Sequence, residues 1–183
     1  MSSVETTDQV GSEPATAARP NPLARLAGFV ENASIGEKAA LARLDPEQML
    51  PHQVAALSRG LVHAGLTPET WQAQTWRRWA LIAHGMALAG HDGKSRLGDQ
   101  LARAGVAESR VTKLLTSRGD AFTQLVPRLL RLLASQGVAP NWYELGNLIL
   151  KGDSPESQDD AETLRLRIAG NYFSTVARQE KSA

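Results

Sequence analysis

The chain has 183 residues, of which 42% are hydrophobic, and it carries a formal net charge of +1. It contains no cysteine, which excludes disulfides, thiolate metal sites and cysteine nucleophiles. No apolar run approaches the roughly 20 residues of a membrane span, and the first residues lack the apolar core of a signal peptide. We therefore expect a cytoplasmic protein that does not bind a membrane.

The composition predicts an all-α fold. The hydrophobic residues are mostly Leu and Ala, which favour helix, whereas strands prefer β-branched and aromatic residues. We expect about eight to nine helices in two small bundled lobes, an N-terminal lobe over residues 21–92 and a C-terminal lobe over residues 93–183. Residues 1–20 are rich in Ser, Thr, Ala, Pro and Gly, a composition that predicts a disordered tail.

Four helices are predicted in the N-terminal lobe. The first begins near residue 22, the second covers residues 36–44 and the third covers residues 51–64. Thr67 and Pro68 predict the start of the fourth, with Thr67 as its cap and Pro68 at its first position. This helix runs to about residue 90 and has an apolar face made of Trp76, Trp79, Ala80, Ile82, Ala83 and Met86.

The C-terminal lobe opens with two short helices, predicted at about residues 95–104 and 107–116 and separated at Gly105. Asp120 predicts the cap of a longer helix over residues 121–135. We expect its buried stripe to comprise Phe122, Leu125, Val126, Leu129, Leu132 and Leu133.

Two further helices complete the prediction. Asn141 predicts the cap of a helix that extends to residue 150. Residues 151–160 are acidic and predict a loop. In the final helix, apolar residues recur every four positions, at Leu164, Ile168, Tyr172 and Val176.

Charge is distributed unevenly along the chain. Residues 1–20 have one base and three acids, a net −2, and residues 132–162 have one base and six acids, a net −5. Residues 71–131 have ten bases and four acids, a net +6. A basic middle between acidic segments favours a polyanion as partner, although solvated helix faces would produce the same pattern.

Catalytic chemistry has no visible basis in the sequence. His52, His63, His84 and His91 do not have the spacing of metal ligands, and no HExxH, Walker or GxSxG motif is present. We expect no catalytic residues, no metal site and no cofactor. Trp71, Trp76 and Trp79 could stack on bases, but the shared face of Trp76 and Trp79 favours a place in the core.

The most distinctive local pattern is LGDQLARAGVAESRVTKLL at residues 97–115. A short helix, a turn at Gly105 and a second short helix have the spacing of a helix-turn-helix, which would present Ser109, Arg110, Thr112 and Lys113 to a DNA groove. A DNA-binding transcriptional regulator is therefore one hypothesis. Two short helices that merely pack at a glycine turn are the other interpretation.

The same block resembles the LGRALA-x-x-G-x-x-E-x-R-x-x-x-LL motif of CasB, the small subunit of the type I-E CRISPR surveillance complex Cascade. The segments that follow are similar to that family in order: VPRLLRLL at residues 126–133, NWYELGNLIL at 141–150 and RLRIAGNYF at 165–173. Upstream, GEKAALAR at 36–43 and WALIAHGMAL at 79–88 are similar to its early basic helix and its central helix. The likeness covers about residues 22–178.

This resemblance implies a non-catalytic subunit that stabilises the R-loop and the displaced single-stranded DNA through sequence-independent backbone contacts. It implies guide RNA and target DNA within Cascade, the backbone and large subunits, and a second copy of the chain as partners. Base pairing would read the sequence while the protein holds backbones. Asp99 and Gln100 replace a position that is often basic in the family, so we expect Asp99 to weaken one phosphate contact.

The candidate nucleic-acid contacts are basic residues. Arg43 is implied by the family's early basic helix and Arg110 by its E-x-R position, while the others depend on local charge and expected exposure. Arg128 and Arg131 could instead face a partner protein or lie over the core. The full set is Lys38, Arg43, Lys94, Arg96, Arg103, Arg110, Lys113, Arg118, Arg128 and Arg131.

Overall fold

The computed structural model describes residues 21–152 and 154–182, so the tail predicted for residues 1–20 lies outside the described residues. Within those ranges the chain forms nine α-helices, two short 3-10 turns and no strand, which confirms the all-α prediction. The helices are α1 (Pro22–Asn32), α2 (Ile35–Ala42), α3 (Pro51–His63), α4 (Ala73–Ala89), α5 (Leu97–Arg103), α6 (Glu108–Thr116), α7 (Gly119–Ser135), α8 (Trp142–Lys151) and α9 (Gln158–Glu180). The 3-10 turns are Pro68–Thr70 and Pro155–Ser157.

Several helices begin where a side chain accepts a hydrogen bond from a backbone N–H that has no partner within the helix. Asn21 caps α1 in this way, and Ser34 and Glu37 form a reciprocal capping box at the start of α2. The side-chain oxygen of Asn141 accepts from the first turn of α8, which confirms the predicted cap.

Two predicted caps are wrong. Thr67 makes no capping hydrogen bond, and Pro68 opens only the 3-10 turn, after which Trp71 is extended and α4 starts at Ala73. The ring of Trp71 stacks on that of Trp79 with centroids 5.9 Å apart, so packing takes this residue out of the helix. Asp120 lies inside the first turn of α7, which begins at Gly119 and continues through Pro127.

Helix α4 lies at the centre of the molecule, in contact with α1 and α2 on the N-terminal side and with α7 and α8 on the C-terminal side. Trp79 is buried, and Trp71 and Trp76 pack against the core, as expected. The predicted boundary at residue 92 falls between α4 and α5, and the division into two lobes stays a prediction. The largest fully buried side chains come from both halves and include Leu26, Leu57, Leu61, Ile82, Leu97, Leu101, Leu130, Leu133, Trp142 and Leu145.

Helix α5 packs closely along α9, and Gly98 makes this approach possible. A Cβ atom at Gly98 would meet the carbonyl oxygen of Ile168 and the backbone nitrogen of Tyr172. The phenol of Tyr172 donates to the Val106 carbonyl at 2.6 Å, and the hydroxyl of Thr175 donates to the Asp99 carboxylate at 2.6 Å. We call this contact the α5–α9 seam.

Candidate nucleic-acid interface

A groove between α6 and α7 brings three of the predicted cations together. Arg110 and Lys113 come from α6 and Arg128 from α7, around a cavity of about 320 Å³. Its apolar lining consists of Leu114, Leu125, Leu129 and Leu132. We call this the basic groove. It is a concave, positively charged surface with an apolar floor.

The amphipathic pattern of the two helices explains the groove. Val111, Leu114 and Leu115 of α6 are buried, whereas Arg110 and Lys113 lie on its exposed face. On α7 the core is formed by Phe122, Val126, Leu129, Leu130 and Leu133. Leu125 and Leu132 were expected in the buried stripe but are only partly buried, because they line the groove instead.

The groove cations have no carboxylate partner among the residues that the structure describes. None of the seven residues lining the groove is acidic, and none of the described ion pairs involves Arg110, Lys113 or Arg128. Arg131, the next basic residue along α7, is also exposed and without such a pair. Their charge is therefore available to an external anion.

Two other candidates are paired within the protein. A guanidinium nitrogen of Arg96 lies 3.9 Å from the carboxylate of Glu144, whose side chain is 10% exposed. Arg118 lies 2.7 Å from Glu162 and also donates to the carbonyls of Leu115 and Ser117. Both arginines have structural partners that a phosphate would have to replace or share.

The remaining candidates are spread over the molecule. Lys38 donates to the carbonyl of Glu31 at 3.1 Å, and Arg103 donates to that of Asp99 at 3.4 Å. Arg43, at the end of α2, and Lys94, between α4 and α5, are exposed. Neither takes part in a described ion pair. The structure thus gathers three candidates in the basic groove and distributes the others over separate surfaces.

Lys94 and Arg96 belong to a segment, residues 90–96, that is tied to the start of α8. The Asp92 carboxylate accepts from the backbone N–H of Lys94 at 2.9 Å, and this bond is the main reason why the pKa of Asp92 lies below its ordinary value. The indole N–H of Trp142 donates to the Gly90 carbonyl at 2.8 Å. We call this region the α8 corner.

The residues at positions 99 and 100 take part in internal contacts rather than in a surface for phosphate. Asp99 accepts from Thr175 and lies 3.8 Å from Arg178, both on α9. Gln100 is buried and links Asp92 to the backbone N–H of Asn141. The structure therefore gives these two substitutions a place in the α5–α9 seam and the α8 corner, away from the basic groove.

The turn between α5 and α6 is a packing corner. Gly105 has a φ of +67°, a left-handed conformation that favours glycine, and Val106 N–H donates back to Leu101 at 3.1 Å. Tyr172 holds the same turn against α9. The outer face of α6 is nonetheless exposed, as the helix-turn-helix hypothesis requires.

Arg167 is an exposed cation that the sequence analysis did not include among the candidates. Arg167 lies on α9, outside the basic stretch, and forms no ion pair with any residue of the described ranges. Local charge could not identify it, because Asp159, Asp160 and Glu162 precede it in the sequence.

The described residues include no group of three or more His, Cys, Asp or Glu side chains that could hold a metal ion. Among the same residues, no helix has the length and apolar character needed to cross a bilayer.

Comparison with protein families identifies one match. The family model of the CRISPR-associated protein Cse2 matches residues 37–173, which is 137 of the 183 residues. Neither the curated proteins nor the solved structures include a match. The matched region contains both helices of the basic groove, the α8 corner and most of the α5–α9 seam. The chain therefore belongs to the Cse2 family, the CasB family of small subunits of type I-E Cascade.

Proposed function

We propose that this Cascade subunit stabilises the R-loop, including the displaced DNA strand, by holding nucleic-acid backbones in the basic groove. The observation that carries the proposal is the convergence of Arg110, Lys113 and Arg128 on one groove with no acidic side chain in its lining. Cations that are not neutralised internally can replace the counterions that condense on phosphates, and the release of those counterions drives binding.

The chemistry of the groove favours backbone contacts over base reading. Its polar groups are two guanidinium groups and one ammonium, which match phosphate geometry and charge. Its floor consists of leucines, and no aromatic ring lines it. Stacking of bases on aromatic side chains would need such a ring. Phosphate contacts carry no sequence information, as suits a complex in which the guide RNA reads the target.

We infer a binding role without catalysis, because the groove contains only cations and aliphatic side chains. Within Cascade the proposed ligands are the guide RNA, the target DNA and the displaced single strand. The proposed protein partners are the backbone subunits, the large subunit and a second copy of the chain.

A helix-turn-helix regulator is the alternative, favoured by one observation, namely the exposed face of α6 that carries Ser109, Arg110, Thr112 and Lys113. In such a protein α6 would enter the major groove and contact base edges. The two functions differ in sequence dependence, and this difference can be measured.

The test is a double substitution, Arg110→Ala with Lys113→Ala, in Cascade assembled with its guide RNA. We expect weaker binding to matched targets of every sequence. Each lost phosphate contact should lower the slope of log K against log salt by about 0.7 for single strands or about 0.9 for duplex. Adding Arg128→Ala should lower the slope by one further contact.

A matched control removes two charges that already have partners. Arg59 lies 2.7 Å from Glu37 and Arg77 lies 3.3 Å from Glu47, so Arg59→Ala with Arg77→Ala should leave the slope unchanged. An unchanged slope in the groove variant would overturn the proposal. A loss restricted to one DNA sequence, with binding by the isolated chain, would support the regulator instead.

A further inference from the structure

The N-terminus of α8 is held by two different side chains. Asn141 accepts from the backbone N–H groups of Tyr143 at 2.9 Å and Glu144 at 3.4 Å. The N–H of Trp142 instead points to Nδ1 of His91, at 3.3 Å. A backbone N–H can only donate, so Nδ1 must be the acceptor and the ring must be neutral, with its proton on Nε2. His91 thus satisfies one of the N–H groups that a helix leaves without a partner at its start.

We infer that His91 is a pH-sensitive latch that, when neutral, accepts a hydrogen bond from the Trp142 N–H and, when protonated, loses this bond and loosens the contact between residues 90–96 and the start of α8. An imidazolium has no lone pair and cannot accept from Trp142. Its positive charge would also lie at a helix N-terminus, where the helix dipole disfavours cations. Protonation therefore removes the hydrogen bond from Trp142 and places a positive charge beside the start of α8.

The groups around His91 have opposite effects on its pKa. Burial lowers the pKa of His91 below the ordinary value of 6.5, while a hydrogen bond to the Pro140 carbonyl and the carboxylates of Asp92 and Glu31 raise it. Lys38 of α2 is the cation that lines the same cavity. The Tyr143 ring, on α8, forms a T-shaped contact with the His91 ring, with centroids 5.0 Å apart. Helix α4 contributes Met86 and Ala87, which are apolar.

The segment that the latch controls contains functional candidates. The Asp92 N–H donates to Pro140 at 3.3 Å, and Trp142 Nε1 donates to Gly90, so the segment and α8 are joined on both sides of His91. Lys94 and Arg96 lie directly after these contacts. Loss of the His91 bond would therefore weaken, without breaking, the attachment to α8 of the segment that carries both cations.

His84 provides an internal contrast. Its Nδ1 lies 3.2 Å from the carbonyl oxygen of Leu41, which can only accept, so this ring donates. Burial lowers the pKa of His84 as well. Protonation of His84 nevertheless keeps the hydrogen bond, whereas protonation of His91 breaks one. Acid should consequently loosen α8 through His91 in particular.

The test is hydrogen exchange of the full chain, followed by NMR at about pH 7.5 and about pH 5, on either side of the ordinary histidine pKa. After correction for intrinsic exchange rates, we expect the Trp142 amide to lose protection at the lower pH, while amides of α3 keep theirs. His91→Asn is the decisive variant, because its side-chain oxygen can take the place of Nδ1 without titrating in this range. The Trp142 amide should then stay protected at both values.

Two outcomes would overturn the inference. One is equal protection of the Trp142 amide at both pH values in the unmodified chain. The other is an acid-induced loss in His91→Asn as large as in the unmodified chain, which would assign the effect to another group. His91→Ala should remove the protection at both pH values, whereas His84→Gln should leave the pH response of Trp142 unchanged.

Discussion

The basic groove and the α8 corner both contain cations from the same basic stretch of sequence, but their surroundings differ. In the groove, Arg110, Lys113 and Arg128 meet only leucines and one another. In the corner, Arg96 lies beside the carboxylate of Glu144, which also accepts from the Leu97 N–H at 2.6 Å. The comparison shows that an exposed cation does not always keep an unopposed charge, because an internal carboxylate can lie beside it.

Paired and unpaired cations differ in the free energy that they gain on binding a phosphate. A cation without an internal partner gains a phosphate contact and releases a condensed ion, whereas a paired cation must first lose its carboxylate. This difference is the reason why we propose the groove, rather than the corner, as the binding surface, while Glu144 of the corner joins α8 to the start of α5.

The largest effect on stability should come from a change in the α5–α9 seam. Tyr172 of the seam holds the turn before α6, and Gln100 on α5 is bonded to the α8 corner. Gly98→Ala places a methyl group against the backbone of Ile168 and Tyr172. We expect the free energy of unfolding in urea to fall by about 2 kcal/mol, as overpacking of a tight contact does.

Gly170→Ala is the matched control for the seam. Gly170 is also helical, but a Cβ atom there would have open space around it, so alanine should stabilise the helix by about 0.5–1 kcal/mol. Equal effects of the two substitutions would show that the close approach of α5 to α9 does not contribute to stability.

An intermediate effect, on the salt dependence of nucleic-acid binding, is expected from the α8 corner. The variant is Lys94→Ala with Arg96→Ala. This variant loses the same formal charge as the double substitution in the groove. Since Arg96 is partnered by Glu144, we expect the salt slope to fall by only about one contact, roughly 0.7 for single strands, compared with two contacts for the groove. A fall as large as that of the groove variant would remove the distinction between the two regions.

The smallest effect should come from Arg118→Ala. Its ion pair with Glu162 is exposed, at 43% and 51% of the two side chains, and exposed pairs contribute about 0–1 kcal/mol to stability. We expect the unfolding midpoint to shift slightly and the salt slope to stay the same. A lower slope would mean that nucleic acid displaces Glu162 and would add Arg118 to the groove.

Local sequence patterns predicted most helices, because caps and apolar periodicity act over a few residues. Asn141 illustrates the success, since its cap needs only the next three residues. Thr67 and Asp120 illustrate the failures. Thr67 has the residue type of a cap, but Trp71 packs on Trp79 and delays the helix to Ala73. Asp120 is one residue inside α7, whose first turn it shares with Gly119.

The sequence by itself determined the helical class, most helix boundaries and the resemblance to CasB, which the family match confirms. It also placed the main cations between residues 94 and 131. Only the tertiary structure decided which of them keep an unopposed charge. The carboxylates that lie beside Arg96 and Arg118 are those of Glu144 and Glu162, on α8 and α9, and Glu162 is 44 residues from Arg118. Local charge cannot reveal such pairs, because electrostatic attraction depends on distance in space and the fold alone sets that distance.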